Sequence, residues 1–256
     1  MDFDQKLLQD RLSQRKSLLS KDPILAPRKA EVLRRLNAVL KGLKRWKGDV
    51  MDLLPAMKTP EEVYALAALL TPPQAGKRQA CAELVAQQPS IFLGDLHVKG
   101  LLHVASTVVV VGSLEAKEVS VGETGVLVVA GDLTTRACTG DGWLLVGGNL
   151  EARLALGYHE AGVFNVAGTL RADLAIFSDH GANIAKDRSK HSFDFQKLRE
   201  PNAAYKKLEK LVNPAALAPE GESADLGVLR VDFRELRRLA VEGKKPLLVN
   251  KSTRGG

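Results

Sequence analysis

Between residues 91 and 180 one short pattern returns five times. Gly94-Asp95-Leu96, Gly112-Ser113-Leu114, Gly131-Asp132-Leu133, Gly148-Asn149-Leu150 and Gly168-Thr169-Leu170 follow one another at intervals of 18, 19, 17 and 20 residues. Two residues before each glycine stand Phe92, Val110, Val129, Val146 and Val166, and four residues after it Val98, Ala116, Thr135, Ala152 and Ala172. Positions separated by two lie on one side of an extended chain, so this alternation describes strands and not helices.

A period near 18 with one-sided strands predicts a coil of a parallel β-solenoid. A single coil cannot bury its apolar side, whereas stacked coils align equivalent residues into interior ladders. The glycine falls in phase with the buried positions. It is expected where a Cβ would crowd the opposite wall or where the bend needs unusual dihedrals. Gly122-Glu123-Thr124-Gly125, Thr139-Gly140-Asp141-Gly142 and the stretch from Gly157 to Gly162 supply turns. A sandwich or Greek key would bring hairpins and variable loops, not one phase held five times.

The segments on either side read differently. Residues 3–19 and 27–46 carry helical apolar spacing with many Lys and Arg. A short helix is expected near 49–57. Thr59-Pro60-Glu61-Glu62 is a strong helix start, with a capping Thr, a Pro and acids in the first turn. A further helix is expected over 74–87. Beyond the repeats, 181–192 reads as a polar loop, 193–211 as a segment with helix, 214–224 as a linker, 228–241 as an amphipathic helix and 244–249 as a closing strand or extended arm. The expected fold class is therefore α+β: a central solenoid of about five coils over 90–181, a helical region at 1–89 and a helical or extended region at 182–256.

Charge follows the same division. Residues 1–50 hold 13 Lys/Arg against 6 Asp/Glu, 91–185 hold 5 against 10, and 186–256 hold 16 against 10. An acidic centre thus lies between basic flanks, which suit an acidic partner or, less well, nucleic acid. Aromatic content of 5% argues against single-strand stacking. No apolar run is long enough to insert in a membrane. The N-terminus lacks a secretory pattern, and the two cysteines, Cys81 and Cys138, are expected as reduced thiols in a cytoplasmic protein.

The repeated Val-x-Gly-Asp-Leu-x-Ala coils resemble bactofilins, polymer-forming bacterial β-helix proteins. The segment from Val146-Gly147-Gly148-Asn149-Leu150 through Gly157-Tyr158 to Ser178-Asp179-His180 is also similar to bacterial solenoid proteins of polymorphic-toxin and immunity gene neighbourhoods. The first resemblance implies a scaffold that assembles with itself, the second a binding protein that neutralises a cognate toxin. The long flanks depart from bactofilins, whose tails are short. Helical flanks are natural caps for the open ends of a solenoid, which otherwise polymerise.

No catalytic or phosphate-binding motif stands out, and a non-catalytic binding protein without cofactor or metal is expected. Asp179-His180 with Cys138, and a metal site from His159, Glu160 and His180, are the nearest approaches to chemistry. The candidate partner-binding residues are the outward positions Asp95, Glu115, Asp132, Glu151, Arg153 and Arg171. The turn residues Tyr158, His159, Glu160, Asp179 and His180 complete that set.

Overall fold

The computed structural model describes residues 3–44, 46–71, 78–158, 160, 162–218 and 230–248. Its centre is a parallel β-solenoid of about six turns. Each turn runs over three faces, and every strand pairing within the solenoid is parallel. On the first face, Leu96, Leu114, Leu133, Leu150 and Leu170 stack in register. The second face stacks Leu84–Ala86, 101–104, 118–121, Ala137–Gly140, 154–158, 174–178 and His191–Asp194. The third stacks Ser90–Phe92, Thr107–Val110, Val126–Val129, Trp143–Val146, 163–166 and 181–184. The interior is filled by the alternate residues of all three, among them Leu96, Val104, Val110, Leu127, Leu144 and Phe164.

The repeated glycines sit at the corner leading into the first face, and their reason differs from the expected one. A Cβ on Gly148 would lie 2.2 Å from Asp132 Oδ1 and 2.8 Å from the Gly131 carbonyl oxygen, and one on Gly168 would lie 2.5 Å from the Gly148 oxygen. The crowding is therefore along the stack, against the coil below, and not across to the opposite wall. Of the five, Gly94 alone takes a positive φ, at 133°. The residue after each glycine exploits this close approach. Asp95 Oδ1 accepts from the Ser113 N–H at 2.8 Å, Ser113 Oγ from the Asp132 N–H at 3.2 Å, Asp132 Oδ1 from the Asn149 N–H at 2.6 Å and Asn149 Oδ1 from the Thr169 N–H at 2.9 Å. One polar side chain per coil thus satisfies a backbone donor of the next.

The coils extend beyond the repeats in both directions. Gln79–Cys81 and Leu84–Ala86 are strands paired with Leu96–Val104, where a helix over 74–87 was expected; residues 72–77 lie outside the described set. Gln, Ala and Glu favour helices, but pairing onto the exposed first coil overrides that modest local preference. Likewise Gly181–Asp187 and His191–Asp194 are strands on the last coil, where 181–192 read as a loop. They close the stack with polar groups: Asp187, Ser192 and Asp194 take the places filled by Leu170, Ala175 and Phe177 one coil earlier. Lys197 spans this end, 2.7 Å from Asp194 Oδ2 and donating to the Ala182 carbonyl at 2.8 Å.

The flanking helices cover lateral faces, so the expectation that they cap the ends does not hold for them. Helices α1 (Gln5–Leu19), α2 (Lys29–Gly42) and α3 (Pro60–Leu70) form a layer on the third face. Asp4 caps α1, which no sequence expectation named; Thr59 caps α3 with Pro60 and Glu61-Glu62 in its first turn, as the sequence predicts. The second helix is shorter than 27–46; Lys47–Gly48 pair antiparallel with Phe3–Asp4 instead. Helix α3 lies against the outward side chains Val109, Val111, Val128 and Leu145, all fully buried. On the second face sit α4 (Pro201–Leu211) and α5 (Phe233–Val241), over Ala137, Leu154, Leu156, Leu174 and Ile176. Both helices are shorter than the segments expected at 193–211 and 228–241. Burying an aliphatic side chain contributes roughly 1.5–3 kcal/mol. Exposing the four residues beneath α3 would therefore cost about 6–12 kcal/mol, comparable to the stability of a whole domain. The helices are structural walls of the solenoid.

Axial crowding makes a specific prediction. Gly148→Ala overpacks the rung, which costs about 1–3 kcal/mol, and thermal unfolding should fall by several degrees. Asp132→Ala should cost about 1 kcal/mol through the lost acceptor. Because Asp132 Oδ1 is the nearest of the atoms struck, the double variant should lose less than the sum of the two, the remaining loss coming from the Gly131 carbonyl. Additive losses in a calorimetric cycle would place the clash elsewhere.

Candidate partner-binding face

With the third face and the later coils of the second covered, the first face is the one with no helix over it. Its outward residues form columns, one residue per coil, at the strand spacing of about 4.8 Å. Three residues after each glycine come His97, Glu115, Thr134, Glu151 and Arg171, and all but His97 are exposed. Glu115 is shared, with Arg78 Nη2 at 2.9 Å and His97 Nδ1 at 3.1 Å from its Oε2. Glu151 Oε1 accepts from Arg171 Nη1 at 2.9 Å. Exposed pairs of this kind contribute little to stability, about 0–1 kcal/mol, and their charges remain open to exchange with a partner's. Two shallow depressions of about 360 and 390 Å³ adjoin on this face, and Glu115 and Thr134 line both.

A second column lies five residues after each glycine: Lys99, Lys117, Arg136 and Arg153, ending in Asp173. Of these the sequence-predicted set holds Arg153; the same glycine register carries the column on to Lys99, Lys117 and Arg136. Its two halves have different duties. Arg136 Nη1 donates to the Val241 carbonyl at 3.1 Å and Arg153 Nη1 to the Gly243 carbonyl. Both neutralise the C-terminal end of α5, where unpaired carbonyls concentrate negative potential. Lys99 and Lys117 stay exposed beside the 390 Å³ depression.

The sequence-predicted residues therefore separate. Glu115, Glu151 and Arg171 stand on the open face. Asp95 and Asp132 are at its edge, but each spends a carboxylate oxygen on the backbone ladder. Arg153 holds α5, and Tyr158 packs with the C-terminal layer, its ring 6.4 Å from that of Phe233. Glu160 and Asp179 are exposed at the corner between the second and third faces, and His159 lies outside the described residues.

His180 is a correction: it is fully buried. Its ring lies edge-on to Phe164, 5.4 Å between centroids, and occupies the space over Gly157 and Gly162, where a Cβ would come within 2.6 and 2.2 Å of it. Glycine-rich corners precede it in the coils below, so the imidazole fills interior volume and is not presented at the surface. Cys138 is also interior, and burial pushes its thiol far above the ordinary range. A protonated, enclosed thiol is unsuited to nucleophilic attack. Among the described residues, no group of three or more His, Cys, Asp or Glu is placed to hold a metal ion, and no helix is long and apolar enough to cross a membrane.

Arg136 and Arg153 should matter to α5 alone. Alanine at either is expected to cost about 1 kcal/mol of helix docking and to speed amide exchange in Phe233–Val241, leaving exchange in the solenoid strands unchanged. Acceleration throughout the solenoid would contradict this division. No family model, curated protein or solved structure matches the chain.

Proposed function

We propose that the protein is a non-catalytic binding platform whose open first face engages a partner protein. One observation carries the reading: its own helices occupy the third face and the apolar later coils of the second, and the first face, left uncovered by helices, is charged in regular columns. Such a surface suits an extended polar interface, in which charge complementarity sets register and association rate. Neutralisation of a toxin, which the resemblance implies, is the form of this activity we favour. A rigid wall laid across an active site blocks it without chemistry of its own.

The self-assembling scaffold is less well supported. Head-to-tail stacking would set the polar closing coil, with Asp187, Ser192 and Asp194 at interior positions, against the half-buried Cys81, Leu84 and Phe92 of the first coil. Stacking would take Asp187 and the Asp194–Lys197 pair out of water, which is unfavourable.

Co-purification with the product of an adjacent gene, using the wild type and a Glu115→Arg/Glu151→Arg variant, tests the platform. The wild type should retain the partner, and the variant should weaken binding at least about tenfold, or 1.4 kcal/mol, with unchanged thermal stability. Equal retention by both would remove the first face as the binding surface. Light scattering should show one discrete species as concentration rises; growing filaments would favour the scaffold instead.

A further inference from the structure

The α1–α2 hairpin has two sides, and the inner one shows what such a surface holds. There it grips α3. Arg11 Nη1 donates to the Leu69 and Leu70 carbonyls at 3.0 and 3.3 Å, and Arg15 to those of Ala68 and Thr71 at 2.5 and 3.0 Å. At the other end Arg35 pairs with the buried Glu62 at 2.8 Å, and Arg28 lies 3.9 Å from Glu61. An apolar helix with acids in its first turn is thus held by leucines and arginines.

The outer side repeats this chemistry with no helix in place. A groove of about 390 Å³ runs between α1 and α2. Leu12, Ala30 and Leu33 form its floor, Ser13 and Asn37 offer hydrogen bonds, and the exposed Lys16 and Arg34 stand at its rims. Among the described residues, neither cation has an acidic partner within ion-pair distance. Residues 5–44 as a whole carry eleven Lys/Arg and three Asp/Glu, so the field around the groove is positive.

We infer that the outer α1–α2 groove is a docking site for an acidic amphipathic helix of a partner protein. The partner's apolar stripe would lie on Ala30 and Leu33, with the buried Leu12 beneath them, and its carboxylates would face Lys16 and Arg34, which is the helix-in-groove mode of recognition. Nucleic acid fits less well, because the floor is aliphatic and offers no ring for a base to stack on. This site is separate from the first face and stands whether or not that face binds.

Fluorescence anisotropy tests it with the full chain. The probe is a fluorescein-labelled peptide with leucines at helical i, i+3, i+4, i+7 spacing and glutamates elsewhere. Saturable binding is expected, weakened at least about tenfold by Arg34→Glu or Lys16→Glu, and equally by scrambling the peptide at fixed composition. Lys207→Glu, exposed on α4, should leave it unchanged. Both rim residues are exposed, so their variants should fold, which circular dichroism verifies. Absence of binding, binding indifferent to rim charge or to scrambling, or tighter binding of a labelled oligothymidine strand would each overturn the assignment.

Discussion

The close approach of successive coils at the glycine corner is the contact on which the rest depends. Parallel strands about 4.8 Å apart leave no room for a Cβ directed along the stack, and at this corner the chain directs one there. Glycine removes the clash, and the next side chain uses the gap to accept a hydrogen bond from the coil above. Each rung therefore fixes the height and phase of its neighbour. The leucine ladder two residues later inherits its register from this contact.

From that rigid prism follows an unequal use of its three faces. Outward residues are aliphatic over most of the third face and over the later coils of the second, and water would not tolerate so much contiguous apolar surface on a monomer. The chain covers both with its own ends. The first face needs no cover, because its outward columns are charged. The closing coil needs none either, since Asp187, Ser192 and Asp194 replace apolar residues at three of its interior positions. Helices serve here as walls, and termination is achieved by composition.

The solenoid itself was legible because its interior positions recur at a fixed phase with one side chain type. The fate of the flanks was less so. Thr107-Val108-Val109-Val110-Val111 and Leu154-Ala155-Leu156 do not alternate, and a strand apolar on both sides is one buried on both sides. Reading those runs would have placed the helices on the lateral faces. The coil at 79–92 was hidden for another reason. It carries Gln, Ala and Glu, whose preference is helical, and only pairing with the neighbouring coil makes it a strand. Within the candidate site, Glu115, Glu151 and Arg171 followed from phase alone. The roles of Asp132 and Arg153 did not, because their partners are backbone groups one coil away or ninety residues along the chain. His180 looked like a surface turn residue since nothing in its local sequence reveals the glycines beneath it.

The central claim is that two faces are walled by helices and one is open. Single cysteines at outward positions, introduced into a Cys81→Ser background, report on each face directly: Thr134→Cys on the first, Ala137→Cys on the second, Val128→Cys on the third. With a maleimide under native conditions, the first should label as fast as an unstructured thiol. The other two should stay protected until the protein unfolds. Equal labelling at all three, or protection at position 134, would contradict the account.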